Sequence, residues 1–569
     1  MHNRNDKSED QVNRRAFLRD TTSLATAGGL ASVLAERSLA QPVTTRSPAK
    51  SSVFDAEDES SGPVFPQSIA SGGPTSEGVL LWTRIAPEKH HNGRPLALEV
   101  ASDRSFENLV HRGVVDAAKI TSENDYTVTV DLDGQLSPDS QYCYRFTYGD
   151  VRSRIGRCRT LPRPDATPES LSFAVLTCQD YQNGYYGAYS HVASEDVDFV
   201  VHLGDFIYES TAGQYKAPGS REYPDRELTL PSGHDLAHTV SDFRYLYNTY
   251  RSDPHLQRAL EQHTMIAGWD DHEVANNRYW DYETDSPKLP PHSDGDDPEF
   301  ATQVTAAGIQ AWVEQMPARI EYNPEMEDLH EQFVLQRSFQ FGDLTTLVLT
   351  DERLYRDPPP EIGGGDDSGR TMLGSDQLDW FLERVDSSDA TWNVWANEVL
   401  TMPLKIGMAD FEFYLNKDAW SGYQREHAQI MNHLNDEGVE NFITLTGDFH
   451  TAMAGYQQTG YDLFKNDEEV GVEFMTPAIT SVNLAEVLPG IDALDWFEIS
   501  ELAVTTTNPH VEFFDSTEWG YSVVEFTPED CTYTAYSVDK NMNTQDATKQ
   551  RLKTLRVPEG RVEIETVDS

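Results

Sequence analysis

The chain has 569 residues, room for roughly three or four domains, and it carries 95 Asp and Glu against 44 Lys and Arg, a formal net charge of −51. That excess argues against nucleic-acid binding, because it would repel phosphate backbones, while the apolar content is sufficient for a large core and excludes a disordered polyanion. The acids are spread along the chain rather than gathered in a tail, which reads as a solvated surface adapted to high salt, self-repelling in dilute buffer and screened when salt is abundant.

Residues 1–40 read as an address. Asn13-Arg14-Arg15-Ala16-Phe17-Leu18 is similar to a twin-arginine export motif, a weakly apolar run follows from Leu24 to Ala35, and cleavage is expected near Ala40. The apolar run is too interrupted for a spanning helix, and no other stretch is a transmembrane candidate. The twin-arginine route carries folded proteins, often with a metal inside, so the expected partner is that export machinery and the expected location is extracellular or cell-surface. Residues 41–62, rich in Ser, Pro and acids, read as a linker.

From residue 63 to 162 the pattern is short strands separated by turn residues. VLLWTRI (79–85), DYTVTVDL (125–132) and QYCYRFTYG (141–149) carry β-branched and aromatic residues, which predicts a fibronectin- or immunoglobulin-like β-sandwich domain. Cys143 and Cys158 fall on its last two strands, as a disulfide or as two free thiols.

The catalytic region is expected over 168–540, with a polar C-terminal tail over 541–569. It opens with two apolar runs, LSFAVLTCQD and DFVVHLGDFIYES, flanking the helical segment YYGAYSHVASED. This is a β-α-β unit with Cys178 at the carboxyl end of one strand and Asp205 and Tyr208 at that of the other, where open α/β sheets hold ligands. A helical region follows (SDFRYLYNTYRSDPHLQRALEQH), then a third strand tipped by Asp270, Asp271 and His272, with Asn276 and Asn277 beyond. Residues 282–298 read as a Pro- and acid-rich mobile loop flanking the site, and a helix is expected near Thr302 to Gln315. VLQRSFQFG and TTLVLTDERLYR predict a hairpin around Gly342-Asp343, ending in Asp351, Arg353, Tyr355 and Arg356. Arg353 is either a structural ion-pair partner or an anion clamp. The loop IGGGDDSG lacks the spacing and following Lys of a nucleotide-binding loop. Two more strand ends bring Asn397 and then Gly447, Asp448 and His450; alternation in an extended chain would put Asp448 and His450 on one face.

A thiol, a phenol, several carboxylates, an imidazole and amides thus arrive at one sheet edge. Crowded carboxylates with few Lys or Arg nearby repel one another unless cations neutralise them. The thiol and phenol bind only when deprotonated, which calls for a strongly polarising ion, and the oxygen donors suit a hard divalent ion such as calcium.

On these residues the chain resembles the PhoD-type alkaline phosphatases of the calcineurin-like metallophosphatase superfamily. The resemblance rests on FPQSIASGGPTSEGVLLWTR, LTCQD, HLGDFIYE, WDDHEVANN, LTDERLYR, LGSDQLDWF, DAWSGY, GDFH, VGVEFMTPAIT and NPH, in order along the chain. It implies an α/β fold, a two-sheet α/β/β/α sandwich behind the fibronectin-like domain. It implies Cys178, Asp205, Tyr208 and His450 as ligands of a ferric ion. Asp205 would bridge to calcium, which Asp270 or Asp271, Asn277 and Asp448 would complete. His272 corresponds to a residue contacting the phosphate or leaving group, and Arg353 is added here as an anion contact. The implied activity is phosphate-ester hydrolysis by attack of a metal-bound oxide or hydroxide, with release of inorganic phosphate. A phosphodiesterase or phospholipase D-like hydrolase on the same site is the near alternative. A non-catalytic, calcium-stabilised surface binding protein is the remote one, disfavoured because a structural site has no use for an open coordination position.

Overall fold

The strands expected after Phe65 all form, but they divide between two sheets in a way their own pattern does not show. The computed structural model describes residues 42–48, 51–54, 63–360, 369–406, 413–414, 416–461, 467–487, 502 and 504–567; the export motif and nearly all of the Gly-rich loop lie outside the described residues. In chain order come β1 (Ile69–Gly72), β2 (Leu80–Arg84), β3 (Leu96–Ala101), β4 (Leu109–Val115), β5 (Thr127–Asp131), β6 (Gln141–Tyr148), β7 (Val151–Arg152) and β8 (Gly156–Arg159). β3, β4, β6, β7 and β8 form one antiparallel sheet. β2 lies between β1 and β5, and these three share a core with the other sheet through Ile69, Leu81, Val130, Leu98, Tyr144 and Phe146. Cys143 stands opposite Arg157 and Cys158 opposite Tyr142. These adjacent register positions send the two thiols to opposite faces, and both are free. Part of the expected linker is docked rather than loose: Val43 bridges to Val130, Arg46 to Val114, and Phe54 is buried beside Ala97 and Val114.

The β-α-β unit forms as read. β9 (Leu171–Leu176), α1 (Gly187–Val192) and β10 (Phe199–His202) lead to α2 (Val240–Tyr250), α3 (Pro254–Gln262), β11 (Thr264–Ala267) and α4 (Pro298–Gln315). The helix starts follow from local chemistry. Thr239 and Asp242 form a capping box on α2, and Asp253-Pro254 and Asp297-Pro298 place a capping carboxylate just before a proline in the first turn. β9, β10 and β11 are parallel, and β1 then pairs parallel to β11, Ser71 opposite Thr264. The N-terminal strands are therefore continuous with the catalytic sheet. The loop expected over 282–298 instead holds a small hairpin, Tyr279–Asp281 against Ser286–Lys288, with Lys288 and Leu289 buried.

The second sheet contains β12 (Arg337–Phe341) and β13 (Thr345–Leu349), the expected hairpin. α5 (Gly374–Asp386), β14 (Trp392–Asn397), α6 (Gln424–Glu437), β15 (Phe442–Thr446), β16 (Ala452–Gln458), β17 (Glu469–Met475) and β18 (Val511–Asp515) follow. Its order is β12-β13-β14-β15-β17-β16-β18, with β13, β14, β15 and β17 parallel. The chain then returns to the first sheet: β19 (Gly520–Phe526) pairs antiparallel to β9, followed by β20 (Asp530–Val538), β21 (Lys549–Pro558) and β22 (Glu565–Thr566). Residues 541–567 are thus no tail. β21 pairs along the length of β20 and buries Leu555 and Val557, although its outer face is too charged for KQRLKTLRVP to read as a strand.

The two sheets pack face to face. The Phe341 ring lies 5.4 Å from those of Phe173 and Phe199, and Phe474 stacks on Tyr533 at 4.6 Å. Tyr189, Phe243, Leu256 and Ile309 of α1–α4 join the core of the first sheet, while Phe381 of α5 and Ile430 and Leu434 of α6 pack with Trp395 of the second. These are the four layers of an α/β/β/α sandwich.

Candidate metal centre and active site

The carboxyl ends of β9, β10, β11, β13 and β15 meet at one edge of the two sheets, and each runs directly into a residue proposed as a ligand or contact. Twelve non-glycine residues among those described have φ between +45° and +63°, and five of them are Cys178, Asp205, Asn277, Asp448 and His450. Left-handed backbone turns a strand end sharply and aims its side chain back over the edge, at a cost of order 1–3 kcal/mol per residue. Two glycines let these turns approach closely. A Cβ on Gly204 would lie 2.5 Å from the Trp269 carbonyl carbon, and one on Gly447 would lie 2.5 Å from Thr177 Oγ1. The period-two argument for Asp448 and His450 therefore fails, because neither residue is extended. The turn sends them to two different groups of potential metal donors.

In the first group, Cys178 Sγ, an Asp205 oxygen and a His450 nitrogen lie within 4.8 Å of one another. Tyr208 Oη donates to Asp205 Oδ2 at 2.8 Å, lies 3.3 Å from His450 Nε2 and accepts from Ser481 Oγ at 2.6 Å. His450 Nδ1 donates to the Val482 carbonyl, which leaves Nε2 with its lone pair facing the group. Burial holds the imidazole down to about 4, so it is neutral. Burial, with Asp205 beside them, pushes the Cys178 thiol and Tyr208 phenol well above their ordinary ranges. Only a cation would draw off those protons.

The second group is Asp270, Asp271 and Asp448. Burial raises Asp270 to about 7 and Asp448 to about 6. Asp271 is buried as well, but Arg353 and His272 outweigh that and hold it below the usual carboxylate range. The expectation of few basic residues here needs correcting. Arg353 is fully buried with Nε on Asp270, Nη1 on Asp418 at 2.7 Å and Nη2 on Asp448 at 2.7 Å, and Arg356 pairs with Asp418 at 2.8 Å. All three Arg353 nitrogens face carboxylates rather than an open anion site.

His272 stacks on the Tyr208 ring at 4.1 Å, and its Nδ1 lies 2.7 Å from Glu209 Oε2. Burial opposes its charged form, but Glu209, Asp205 and Asp271 prevail and raise it well above the ordinary histidine value. Glu209 also accepts from Tyr215 Oη at 2.5 Å and from the Asn276 amide at 2.9 Å. Glu273 accepts from the backbone amides of Asp205, Phe206 and Asp270 at 3.1, 2.6 and 2.7 Å, clamping two ligand turns together. Glu209, Glu273, Asp418 and Ser481 also touch these groups, although none of them stands out in the sequence pattern. Glu209 follows Tyr208 in HLGDFIYE and Glu273 follows His272 in WDDHE, and an acid directly after a strand-tip residue is the trace they leave in the sequence. Asn397, also at a strand end, is not at the site; its Oδ1 accepts from Trp420 Nε1 at 3.0 Å.

The donor set fits metal ions. Asp205 Oδ1 and Asp271 Oδ1 are buried without any hydrogen-bond partner. The Asn277 side-chain amide lies beside Asp271 and Asp418, able to donate to their carboxylates at 3.2 and 3.0 Å. Asp205 and Asp271 also group with His272, so the two clusters are contiguous.

Residues 173–535 match the PhoD-like phosphatase family, and residues 49–162 match the PhoD-like phosphatase N-terminal domain. The chain is 33% identical over 481 residues to alkaline phosphatase D of Bacillus subtilis (strain 168), covering 82% of this chain and 76% of that one. It superposes on a solved structure of PhoD with a TM-score of 0.77 at 29% identity, over 90% of this chain and 94% of that one.

Proposed function

The chain belongs to the PhoD-like phosphatase family and is a phosphoric ester hydrolase of the alkaline phosphatase D type, and from that premise we propose that its two ligand groups hold a ferric ion and calcium beside the phosphate ester. The observation that carries this reading is the division of the donors. One group has a thiol, a phenol and a free imidazole nitrogen, and the other has oxygens only. Soft sulfur with phenolate suits a trivalent transition ion, and an all-oxygen set suits a hard divalent one.

Bound there, such ions would supply Lewis-acid stabilisation of the phosphoryl group and an acidified water. The chain's own residues do the rest. Cys178 and Tyr208, as anions, would hold one ion together with His450, and Asp205, which also groups with Asp271, would contribute to both sides. Asp270, Asp271, Asn277 and Asp448 hold the oxygen side, with Arg353 fixing their geometry and limiting their repulsion. His272, kept protonated by Glu209, donates to a phosphoryl oxygen or to the departing alkoxide.

We read residues 1–40 as the twin-arginine address of an exported enzyme working in high salt. Among the described residues no helix is long and apolar enough to cross a membrane. The test of the metal assignment is elemental analysis and a visible spectrum of the purified protein, with turnover measured on a phosphomonoester and a phosphodiester. Iron with a charge-transfer band, calcium, and faster monoester turnover are expected. A colourless protein fully active with calcium or zinc alone would sink the ferric assignment, and faster diester turnover would make the enzyme a phosphodiesterase.

A further inference from the structure

After β10 the chain leaves the metal centre in a surface loop, residues 211–235, and returns. The loop's ends are joined by the bridge between Ser210 and Leu236 and by the Thr211 amide, which donates to the Asp235 carbonyl at 2.9 Å. Its second half is fastened away from the site: Tyr223 Oη donates to Asn541 Oδ1 at 2.8 Å, and Arg226 pairs with Asp253 over the rings of Tyr181 and Tyr186. Its first half turns inward. Gly213 is left-handed (φ 66°), and the Lys216 amide donates to its carbonyl at 3.1 Å. This turn carries Tyr215 back onto the end of β10.

Tyr215 touches the site. Its Oη donates to Glu209 Oε1 at 2.5 Å, and its ring meets His272 edge-on at 4.5 Å and lies 5.9 Å from that of Tyr208. It is half-buried, and among the described residues it belongs to none of the hydrophobic clusters, so core packing does not account for it. Burial and the charge of Glu209 push its phenol well above the ordinary range, which keeps it a donor. Glu209 has no exposed surface, and it accepts from Tyr215, from the Asn276 amide at 2.9 Å and from His272 Nδ1 at 2.7 Å. The last two donors come from the segment after β11; the phenol ties the same carboxylate to a separate loop. A carboxylate held at both oxygens fixes the imidazole it accepts from. His272 is thus held by Nδ1 between the rings of Tyr208 and Tyr215, with Nε2 on the side of the metal centre, 4.0 Å from Asp271 Oδ1.

We infer that Tyr215 is a positioning residue for the hydrolysis: through Glu209 it holds the His272 imidazolium so that Nε2 passes its proton to the departing oxygen of the ester. The inference rests on the reading of His272 as a proton donor and narrows it to the leaving group. The two donor groups would already set cations beside the phosphoryl oxygens, whereas an alkoxide is a strong base and leaves with difficulty unless protonated. The body of the ester must extend to solvent, and the partly exposed Tyr215 and Lys216 lie beside His272. As the P–O bond breaks, its electron pair stays on the departing oxygen, which takes the Nε2 proton and leaves as an alcohol. Water supplies the oxygen that joins phosphorus, and a proton from it restores the imidazolium.

The experiment is steady-state kinetics of the full metal-loaded protein on ethyl phosphate and on 4-nitrophenyl phosphate, whose phenolate departs without a proton. Tyr215→Phe removes only the Oη. Its kcat on ethyl phosphate should drop about 10–100-fold, the range for removing a residue that orients an active-site group. On 4-nitrophenyl phosphate it should drop less than about threefold, with KM and bound metal unchanged for both. Tyr215→Ala also frees Glu209 Oε1, should show the same selectivity, and carries the test if Tyr215→Phe fails to fold. His272→Gln tests the reading beneath and should be selective in the same direction. Equal losses on the two esters in His272→Gln would sink the leaving-group reading and this inference with it. Selective loss in His272→Gln beside equal losses or none in the Tyr215 variants, or losses that follow metal content, would overturn the role of Tyr215 alone.

Discussion

Cys178 sits in left-handed backbone (φ 53°) with Thr177 Oγ1 3.0 Å from its sulfur. A structural cysteine would need neither that strain nor its place beside Asp205 and His450. If Cys178 is a thiolate ligand, Cys178→Ser keeps the fold but loses iron and shifts or loses the visible band. Removing even the partners that orient ligands typically costs about 10–100-fold, so loss of the ligand itself is expected to cost more than that in phosphatase rate. A fully active serine variant would return Cys178 to the role of a small buried hydrophobe. Glu209→Gln tests the neighbouring His272. It keeps the shape but removes the charge that holds the imidazole protonated, so bound metal should stay constant while kcat drops roughly 10–100-fold. If metal content falls in step with rate, Glu209 supports the ligands rather than His272.

At the scale of elements, the last strands decide what holds the first catalytic strand. β19 pairs with β9, the strand that carries Cys178 at its end, and β20 and β21 extend the sheet beyond it. Leu555 of β21 is 1% exposed, so Leu555→Ala should destabilise the protein by roughly 2–5 kcal/mol, read as a drop in denaturation midpoint. A region behaving as a free polar tail would show no change. The β1–β11 pairing has a similar consequence: the N-terminal region and the metal centre share a sheet, so unfolding should be cooperative across both.

At the scale of the whole molecule, the charge of −51 makes self-repulsion the contribution most sensitive to salt. Self-repulsion at low ionic strength is long-ranged, with a Debye length of about 30 Å at 0.01 M against about 3 Å at 1 M. If the surface is adapted to high salt, activity and folding are lost on dilution into low-salt buffer containing calcium and return on adding salt. Circular dichroism and ester turnover across a salt series measure this, and full stability in dilute buffer would remove the high-salt reading. For export, replacing Arg14 and Arg15 together by Lys should leave folded precursor inside the cell. Unchanged secretion of that variant would show that another route is used.

What the chain determines by itself is mostly local. Apolar runs such as FAVL and FVVH are buried on both faces, so they read as parallel strands without any knowledge of their neighbours, and the polar residues that end them read as ligands. The helical regions were equally open, but not their starts: α4 was expected near Thr302 and begins at Pro298, capped by Asp297, and the region after Ser241 divides at Asp253-Pro254, although such caps are set within four residues. The division of Asp448 and His450 between two groups was hidden, because it depends on left-handed turns held by the approach of Gly447 to Thr177, 270 positions earlier. Arg353 could be named as unusual, yet only packing showed that its three nitrogens face Asp270, Asp418 and Asp448 from three separate segments. β21 and the shared N-terminal sheet were likewise decided by tertiary structure. A strand with one solvated face draws its stability from partners distant in sequence, so its own residues carry only half the pattern.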